Sequence, residues 1–274
     1  MLDRGRTVVV TGANGGIGLA TVLELARSGF EVVGTVRGEE QAATVSQAAT
    51  QHGVRIRTTL LDVTDEEACR RVIADVAPWG LVNNAGYAVT GAILDVDDDE
   101  ARRQLETLVV APMRLSRFAA RSMREAGTGG RIVNVSSMAA QVSAPLLGWY
   151  QASKRALEGV SDALRLELRP DGILVVMVEP GMVRTDIWRG ARERLHQSSE
   201  RPATITAWDR IIRRTSPLMA APDRVARAIH TALTVERPRD RYPVGLDSQL
   251  LTRLAKVTPV PVTDSLARAL FHLR

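Results

Sequence analysis

The 274-residue chain predicts an α/β fold, a single doubly wound parallel sheet with helices on both faces. Three observations predict it. Short β-branched apolar runs recur along the chain, as strands buried on both faces require. Longer stretches of helical periodicity lie between them. A glycine-rich turn, Gly12-Ala13-Asn14-Gly15-Gly16-Ile17-Gly18, joins the first run to the first helical stretch. The length suits one domain, residues 1–274.

The elements follow in order. Thr7-Val8-Val9-Val10-Thr11 is β-branched throughout and predicts a strand over 7–11. A helix over 16–28 stops near Ser28-Gly29. The pattern then predicts strands over 31–36, 54–61, 80–83, 131–136, 173–178 and 241–244. Helices are predicted over 39–51, 65–77, 98–126, 148–169, 187–197 and 222–235. Repeated βα units imply right-handed crossovers, and ligands then sit beyond the C-terminal ends of the strands.

Composition removes several function classes. Hydrophobic residues make up 45% of the chain, enough for a large core, yet no apolar run approaches the roughly 20 residues of a membrane span. Met1-Leu2-Asp3-Arg4-Gly5-Arg6 leads directly into the first strand and leaves no room for a signal peptide, so a cytoplasmic location is expected. A single cysteine, Cys69, excludes an internal disulfide and makes no metal cluster, and no metal is expected. The four histidines show no ligand spacing. The net charge of +5 and pI near 10.1 raise nucleic-acid binding, but the arginines are dispersed among acids, as in Asp97-Asp98-Asp99-Glu100-Ala101-Arg102-Arg103, and solvated faces explain them better.

Chemistry is carried by Tyr150-Gln151-Ala152-Ser153-Lys154 and by Ser137, thirteen residues upstream of the tyrosine. A tyrosine and a lysine four apart share one helix face. A phenol with pKa about 10 is a poor acid or base near neutral pH, and a nearby cation lowers it. Ser137 closes the strand Arg131-Ile132-Val133-Asn134-Val135-Ser136 and can hold a substrate oxygen. Ser136 is its rival, but the two face differently at a strand end and the spacing favours Ser137. The glycine turn has the strand–turn–helix context of a dinucleotide site, in which backbone N–H groups and the helix dipole receive a pyrophosphate. The second strand ends at Arg37, with no acid at Val36 or Arg37. An acid there would bond a ribose 2′-hydroxyl, whereas an arginine pairs with a 2′-phosphate, so NADP(H) is favoured over NAD(H).

Thr11-Gly12-x-x-x-Gly16-x-Gly18, Asn83-Asn84-Ala85-Gly86, Ser137, Tyr150 with Lys154, and Pro180-Gly181-Met182-Val183-Arg184-Thr185 come in one order over residues 11–185. Together they resemble the short-chain dehydrogenase/reductase family, and their wording is similar to its 17β-hydroxysteroid and retinol dehydrogenase-like branch. The resemblance implies a Rossmann-like fold and hydride transfer between NADP(H) and a carbonyl/alcohol substrate. It implies Tyr150 as general acid or base, Lys154 as the group lowering its pKa and holding the nicotinamide ribose, and Ser137 as the positioner of the substrate oxygen. It implies cofactor contacts from Gly12, Asn14, Gly15, Gly16, Ile17, Gly18, Arg37, Asp62, Val63, Asn84, Ala85, Gly86, Tyr150, Lys154, Pro180, Gly181, Val183 and Thr185.

The resemblance also implies a substrate lid over 186–221, a C-terminal helical extension over 246–274, and a homodimer or homotetramer. Trp149, Pro145-Leu146-Leu147 and two tryptophans of the lid suit a hydrophobic substrate, with ordinary packing an equal account. The tail from Leu266 to Arg274 reads as a short amphipathic helix that packs on the domain or a sister subunit, with membrane-surface contact the lesser reading. One position departs from the family pattern: Leu108 stands where relatives carry an asparagine that holds a relay water. The alternative function is therefore a weakly active or non-catalytic dinucleotide-binding sensor.

Overall fold

The computed structural model describes residues 5–185, 190, 202–255 and 257–273. Among them, seven parallel strands form one sheet: β1 (Thr7–Thr11), β2 (Glu31–Val36), β3 (Arg57–Leu60), β4 (Gly80–Asn83), β5 (Gly130–Val135), β6 (Ile173–Pro180) and β7 (Arg241–Val244). Their order is β3-β2-β1-β4-β5-β6-β7. The helices are α1 (Gly16–Arg27), α2 (Glu39–Gln51), α3 (Glu66–Val76), α4 (Asp98–Leu105), α5 (Ala111–Ala126), α6 (Gly148–Leu168), α7 (Pro202–Thr215), α8 (Pro222–Thr234), α9 (Leu246–Ala255) and α10 (Val260–Phe271).

Alternation along the strands splits the core in two. Val8, Val10, Val82, Val133 and Val176 face α1 and α8, where Val22, Leu25, Val225, Ile229 and Leu233 meet them. Val9, Leu81, Ile132 and Val175 face the other way, onto Ile73, Leu115, Met123 and Leu168 of α3, α5 and α6. Each such side chain contributes about 1.5–3 kcal/mol of burial. Side-chain caps fix two helix starts: Asp65 accepts the Ala68 N–H at 2.9 Å, and Asp97 accepts the Glu100 N–H at 2.7 Å. The chain builds outward from β1 to β3, then returns to lay β4 on the opposite side of β1. That reversal opens a crevice at the C-terminal ends of β1 and β4, the place where open α/β sheets bind ligands.

The structure departs from the sequence expectation in four places. β3 begins at Arg57 rather than 54, because the Val54 N–H closes the end of α2 on the Ala49 carbonyl at 3.0 Å. The single helix expected over 98–126 contains a π-helical segment, Glu106–Val110, between α4 and α5. α7 was not anticipated; Pro202 opens it, and Ile205 and Trp208 bury one face. The C-terminal extension consists of two separate helices, α9 and α10. The helix expected over 187–197 and Trp188 lie outside the described residues, save Gly190. Among the described residues, no helix is long and apolar enough to cross a membrane and no group of metal-binding side chains occurs.

Candidate active site

The β1–α1 turn brings three chain segments together. Gly16 has φ +49°, and a Cβ there would meet the Thr185 side chain. A Cβ on Gly18 would collide with the Gly12 carbonyl oxygen. Asn84 locks the turn from the β4 side: its Nδ2 donates to the Thr11 and Gly12 carbonyls at 2.9 and 3.2 Å. The Thr11 hydroxyl accepts the N–H groups of Asn84 and Ala85, both at 3.0 Å. Asn84 and Ala85 thus brace the turn. Gly86 lies under Leu108, whose Cδ2 occupies the space a Cβ would need.

Pro180 ends β6, and the Gly181 N–H donates to the Val244 carbonyl at 2.8 Å. Val183 is buried and bridges to Ala220. Gly16, Val183 and Thr185 line one cleft with Arg184, Ile212 and Met219. Asn14 and Ile17 are half-buried and Gly15 is exposed on the same turn.

Arg37 and Asp62 follow β2 and β3 at the same edge of the sheet. Asp62 Oδ1 accepts the backbone N–H and hydroxyl of Thr64, at 2.9 and 2.7 Å. Those bonds, with the nearby Arg37 charge as a lesser cause, hold its carboxyl below the usual value. Val63 is buried, and its carbonyl accepts the Cys69 thiol at 3.3 Å. Burial pushes that thiol up to about 11, so Cys69 is a packing residue.

β5 ends at Val135, and the next two residues diverge. Ser136 turns its hydroxyl to Glu158 Oε1 at 2.7 Å. Ser137 opens the short 3-10 turn Met138–Ala140, accepts the Ala139 N–H at 3.1 Å, and turns its hydroxyl toward the Tyr150 phenol closely enough to favour the phenolate. Tyr150 lies in the first turn of α6 and is buried. Lys154, one turn on, donates from Nζ to the Val135 carbonyl at 2.8 Å and stands 5.8 Å from the centre of the Tyr150 ring. Ser137, Tyr150 and Lys154 therefore converge where β5 meets α6.

The electrostatics correct one sequence expectation. Burial raises the Tyr150 phenol above the ordinary tyrosine value, and the Ser137 bond offsets only part of this. Burial likewise drives the Lys154 ammonium down to about 8, against the pull of Glu158. The lysine does not lower the phenol here, because its Nζ is committed to the Val135 carbonyl and burial dominates both groups.

A stability measurement checks the buried ammonium. The folded value of about 8 lies below the ordinary lysine value of 10.5, so the lysine charge costs stability at lower pH. The full cost, on the order of 3 kcal/mol, applies below the folded value. Between pH 8 and 10.5 the folded protein has released a proton that the unfolded chain retains, and the cost fades as pH rises. Wild type should therefore gain stability relative to Lys154→Met across that window in urea unfolding. A difference that stays constant with pH would refute the assignment.

The packing of Leu108 on the triad, the role of Gln104 and the Arg241 network lay outside sequence reasoning. Leu108 sits in the π-helical segment, only 1% exposed, and packs with Ala88, Ala139 and Tyr150. It is an apolar wall against the phenol. Gln104, fully buried one turn earlier, holds the adjoining loop by accepting the Val89 N–H at 2.6 Å and donating to the Tyr87 carbonyl at 2.9 Å. Behind the triad, Arg241 reaches Glu158, Glu179 and Asp162, each at 2.6 Å. Burial opposes the Arg241 charge, yet its bonds to Glu179 and Glu158 hold it firmly cationic, above the ordinary arginine value. A glutamate four residues after Lys154 was the one local signal of this network.

The residues present fit a dinucleotide. α1 starts at Gly15 with no side-chain cap and no acid in its first turn, so its N-terminal dipole end is left for an anion. Gly16 and Thr185 flank that start, and Arg37 and Asp62 stand at the next strand ends of the same edge.

Comparison with known proteins gives the same answer. Residues 6–196 match the short chain dehydrogenase family model. An uncharacterised oxidoreductase of Bacillus subtilis, YusZ, is 34% identical over 96% of this chain and 97% of its own length. Retinol dehydrogenase 5 of Mus musculus is 30% identical over 94% of this chain and 86% of its own. A variant of actinorhodin polyketide ketoreductase, solved with NADPH, superposes with a TM-score of 0.79 at 28% identity, over 90% of this chain and 97% of that one. The chain belongs to the short-chain dehydrogenase/reductase family of oxidoreductases and resembles its retinol dehydrogenase-like branch.

Proposed function

We propose that the protein is an NADP(H)-dependent oxidoreductase that interconverts a hydrophobic carbonyl and its alcohol through Ser137, Tyr150 and Lys154. The observation that carries this reading is the buried Tyr150 phenol paired with Ser137, with Lys154 one helical turn away, at the C-terminal edge of a parallel sheet. NADP(H), when bound, supplies the hydride chemistry. The residues that would hold it are the β1–α1 turn around Gly12, Gly15, Gly16 and Gly18, together with Arg37, Asp62, Val63, Val183 and Thr185. Ser137 orients the substrate oxygen. Tyr150 Oη gives that oxygen its proton in reduction and takes it back in oxidation. A phenol raised by burial stays protonated at neutral pH, the form that gives a proton in reduction. Leu108 keeps bulk water from the ring.

The substrate class rests on the apolar cluster before Tyr150. Leu146 and Leu147 pack with Ile205, Trp208 and Phe271, and Trp208 Nε1 donates to the Pro145 carbonyl at 3.0 Å. α7 is thereby fastened to the loop that leads into α6, as a lid helix over the site would be. One observation favours a second reading, a non-catalytic dinucleotide sensor: Leu108 replaces the polar residue of the relay.

NADPH consumption with hydrophobic ketones and aldehydes tests the proposal. Measurable turnover supports it; dinucleotide binding without turnover over such a panel favours the sensor. Cofactor preference is a separate prediction. Arg37→Asp should weaken NADPH binding by at least about tenfold, since it removes a charge-assisted partner and adds a repelling one. Fluorescence titration with NADPH and NADH reads this, and equal NADPH affinity in both proteins would reject the role of Arg37.

A further inference from the structure

Tyr150, Lys154 and Glu158 follow one another four residues apart on α6 and so share one face of the helix. The first two belong to the proposed chemistry. Glu158 is buried and reaches the segment that carries Ser137. Its Oε1 accepts the Ser136 hydroxyl at 2.7 Å, and its Oε2 accepts Gln141 Nε2 at 2.6 Å. Ser136 immediately precedes Ser137, and Gln141 closes the 3-10 turn that Ser137 opens. One carboxylate thus grips the Ser137 turn from both ends. Arg155, the residue after Lys154, adds a further tie: its Nε donates to the Ala140 carbonyl at 2.9 Å, and a second guanidinium N–H donates to the Ser143 hydroxyl at 3.1 Å.

The turn relies on these ties because the sheet no longer holds it. The ladder of β5 on β6 ends with Val135, and the Ser136 N–H makes one further bond, to the Val178 carbonyl at 2.8 Å. The Ala140 and Gln141 N–H groups then bond back to the Ser137 and Met138 carbonyls at 3.0 and 2.9 Å, within the turn itself. Such bonds give the turn its shape but not its distance from α6. A carboxylate suits the task, since Ser136, Gln141 and Arg241 all present donors and an ionised carboxylate only accepts. Arg241, fixed also by Glu179 and Asp162, supplies the opposite charge that a buried carboxylate requires.

We propose that Glu158 is a positioning residue: it ties the Ser137 turn to the helix that carries Tyr150, and so sets the Ser137 hydroxyl at its working distance from the Tyr150 phenol. The role rests on the reading of Ser137 and Tyr150 as the groups that meet the substrate oxygen. Glu158 acts on the reaction through Ser137, and a reacting group displaced by about 1 Å loses on the order of a hundredfold in rate.

Ser136→Ala with Gln141→Leu removes both ties and leaves Glu158 on Arg241. At saturating NADPH and ketone its kcat should fall by about tenfold to a hundredfold, with NADPH affinity within about twofold of wild type. In a Ser137→Ala background the same pair should change kcat by less than about twofold, because a hydroxyl that is absent cannot be misplaced. Glu158→Ala should follow the same pattern, and Glu158→Gln, which keeps the shape and one acceptor oxygen, should recover most of the rate. Hydrogen exchange of the cofactor-free protein reads the geometry without turnover. The amides of residues 138–143 should exchange faster in the paired variant, while those of α6 and the strands keep wild-type protection and show that the fold is intact. An unchanged kcat, an equal loss with and without Ser137, or unchanged exchange over 138–143 overturns the proposal and leaves the reading of Ser137 in place. A Ser137→Ala protein as fast as wild type overturns both.

Discussion

Tyr150→Phe lowers turnover by about 10²–10⁴-fold, the range of a lost general acid, while the affinity for NADPH stays within about twofold. The substitution keeps the ring packed against Leu108, Ala88 and Ala139 and removes only the hydroxyl beside Ser137. Packing and fold are therefore preserved, and Ser137 retains its contact with the Ala139 N–H. Steady-state rates with saturating ketone and NADPH, set beside a fluorescence titration of the same variant, separate chemistry from binding. Turnover within a few-fold of wild type would remove Tyr150 from the chemistry. Equal loss of binding and rate would instead make it a structural residue of the cofactor site.

Arg241→Ala costs about 3–5 kcal/mol of folding stability. The loss comes from what it leaves behind. Glu158 and Glu179 are 5 and 3% exposed, and each gives the arginine a bond of 2.6 Å. Without the guanidinium, the buried carboxylates of Glu158 on α6 and Glu179 on β6 both lose the cation they share. Gln141 and Ser136 still donate to Glu158, at 2.6 and 2.7 Å, but carry no charge. Arg241→Lys should recover part of the loss, since it restores the charge but not the fork that reaches three carboxylates. Replacing Glu158 and Glu179 by glutamine in the Arg241→Ala background should also recover stability, because the buried charges that Arg241 met are gone. Urea unfolding measures all four proteins. A cost below about 1 kcal/mol for Arg241→Ala would mean that water relieves the pair and that the network is decorative.

The architecture was readable from local patterns. Strands buried on both faces leave β-branched runs such as Thr7–Thr11, and helices between them leave 3.6-residue periodicity. The glycines at 16 and 18 announced a turn whose close approaches admit no Cβ. Less readable were features that depend on distant partners. Arg241 meets carboxylates 62 to 83 residues away in sequence, so nothing near it signalled a buried network. The π-helical segment has no sequence signature in Glu106-Thr107-Leu108-Val109-Val110; its consequence, Leu108 against Tyr150, emerges only from packing. α7 was legible in principle, since Ile205, Trp208 and Ile212 recur at helical spacing after Pro202, but that stretch read as a variable lid. The Tyr150–Lys154 pair was visible, yet the sign of the tyrosine shift was not, because burial is a property of the assembled site.

The distribution of acids over the helix starts has a consequence for how an anion finds the site. In a parallel α/β sheet every crossover helix points its positive end toward the same edge, so several starts compete for a diffusing anion. α2, α3 and α4 carry Glu39 and Glu40, Glu66 and Glu67, and Asp98, Asp99 and Glu100 in their first turns, and α8 carries Asp223. α1 and α6 carry none. The carboxylates at this edge stand close after Arg37 and Asp62 as well as at α4 and α8, whereas the glycine turn and the start of α6 carry none in the first helical turn. Of these starts, an anion drifting along the edge should meet the least carboxylate repulsion at the glycine turn and at α6, a bias set by where the surface acids are placed.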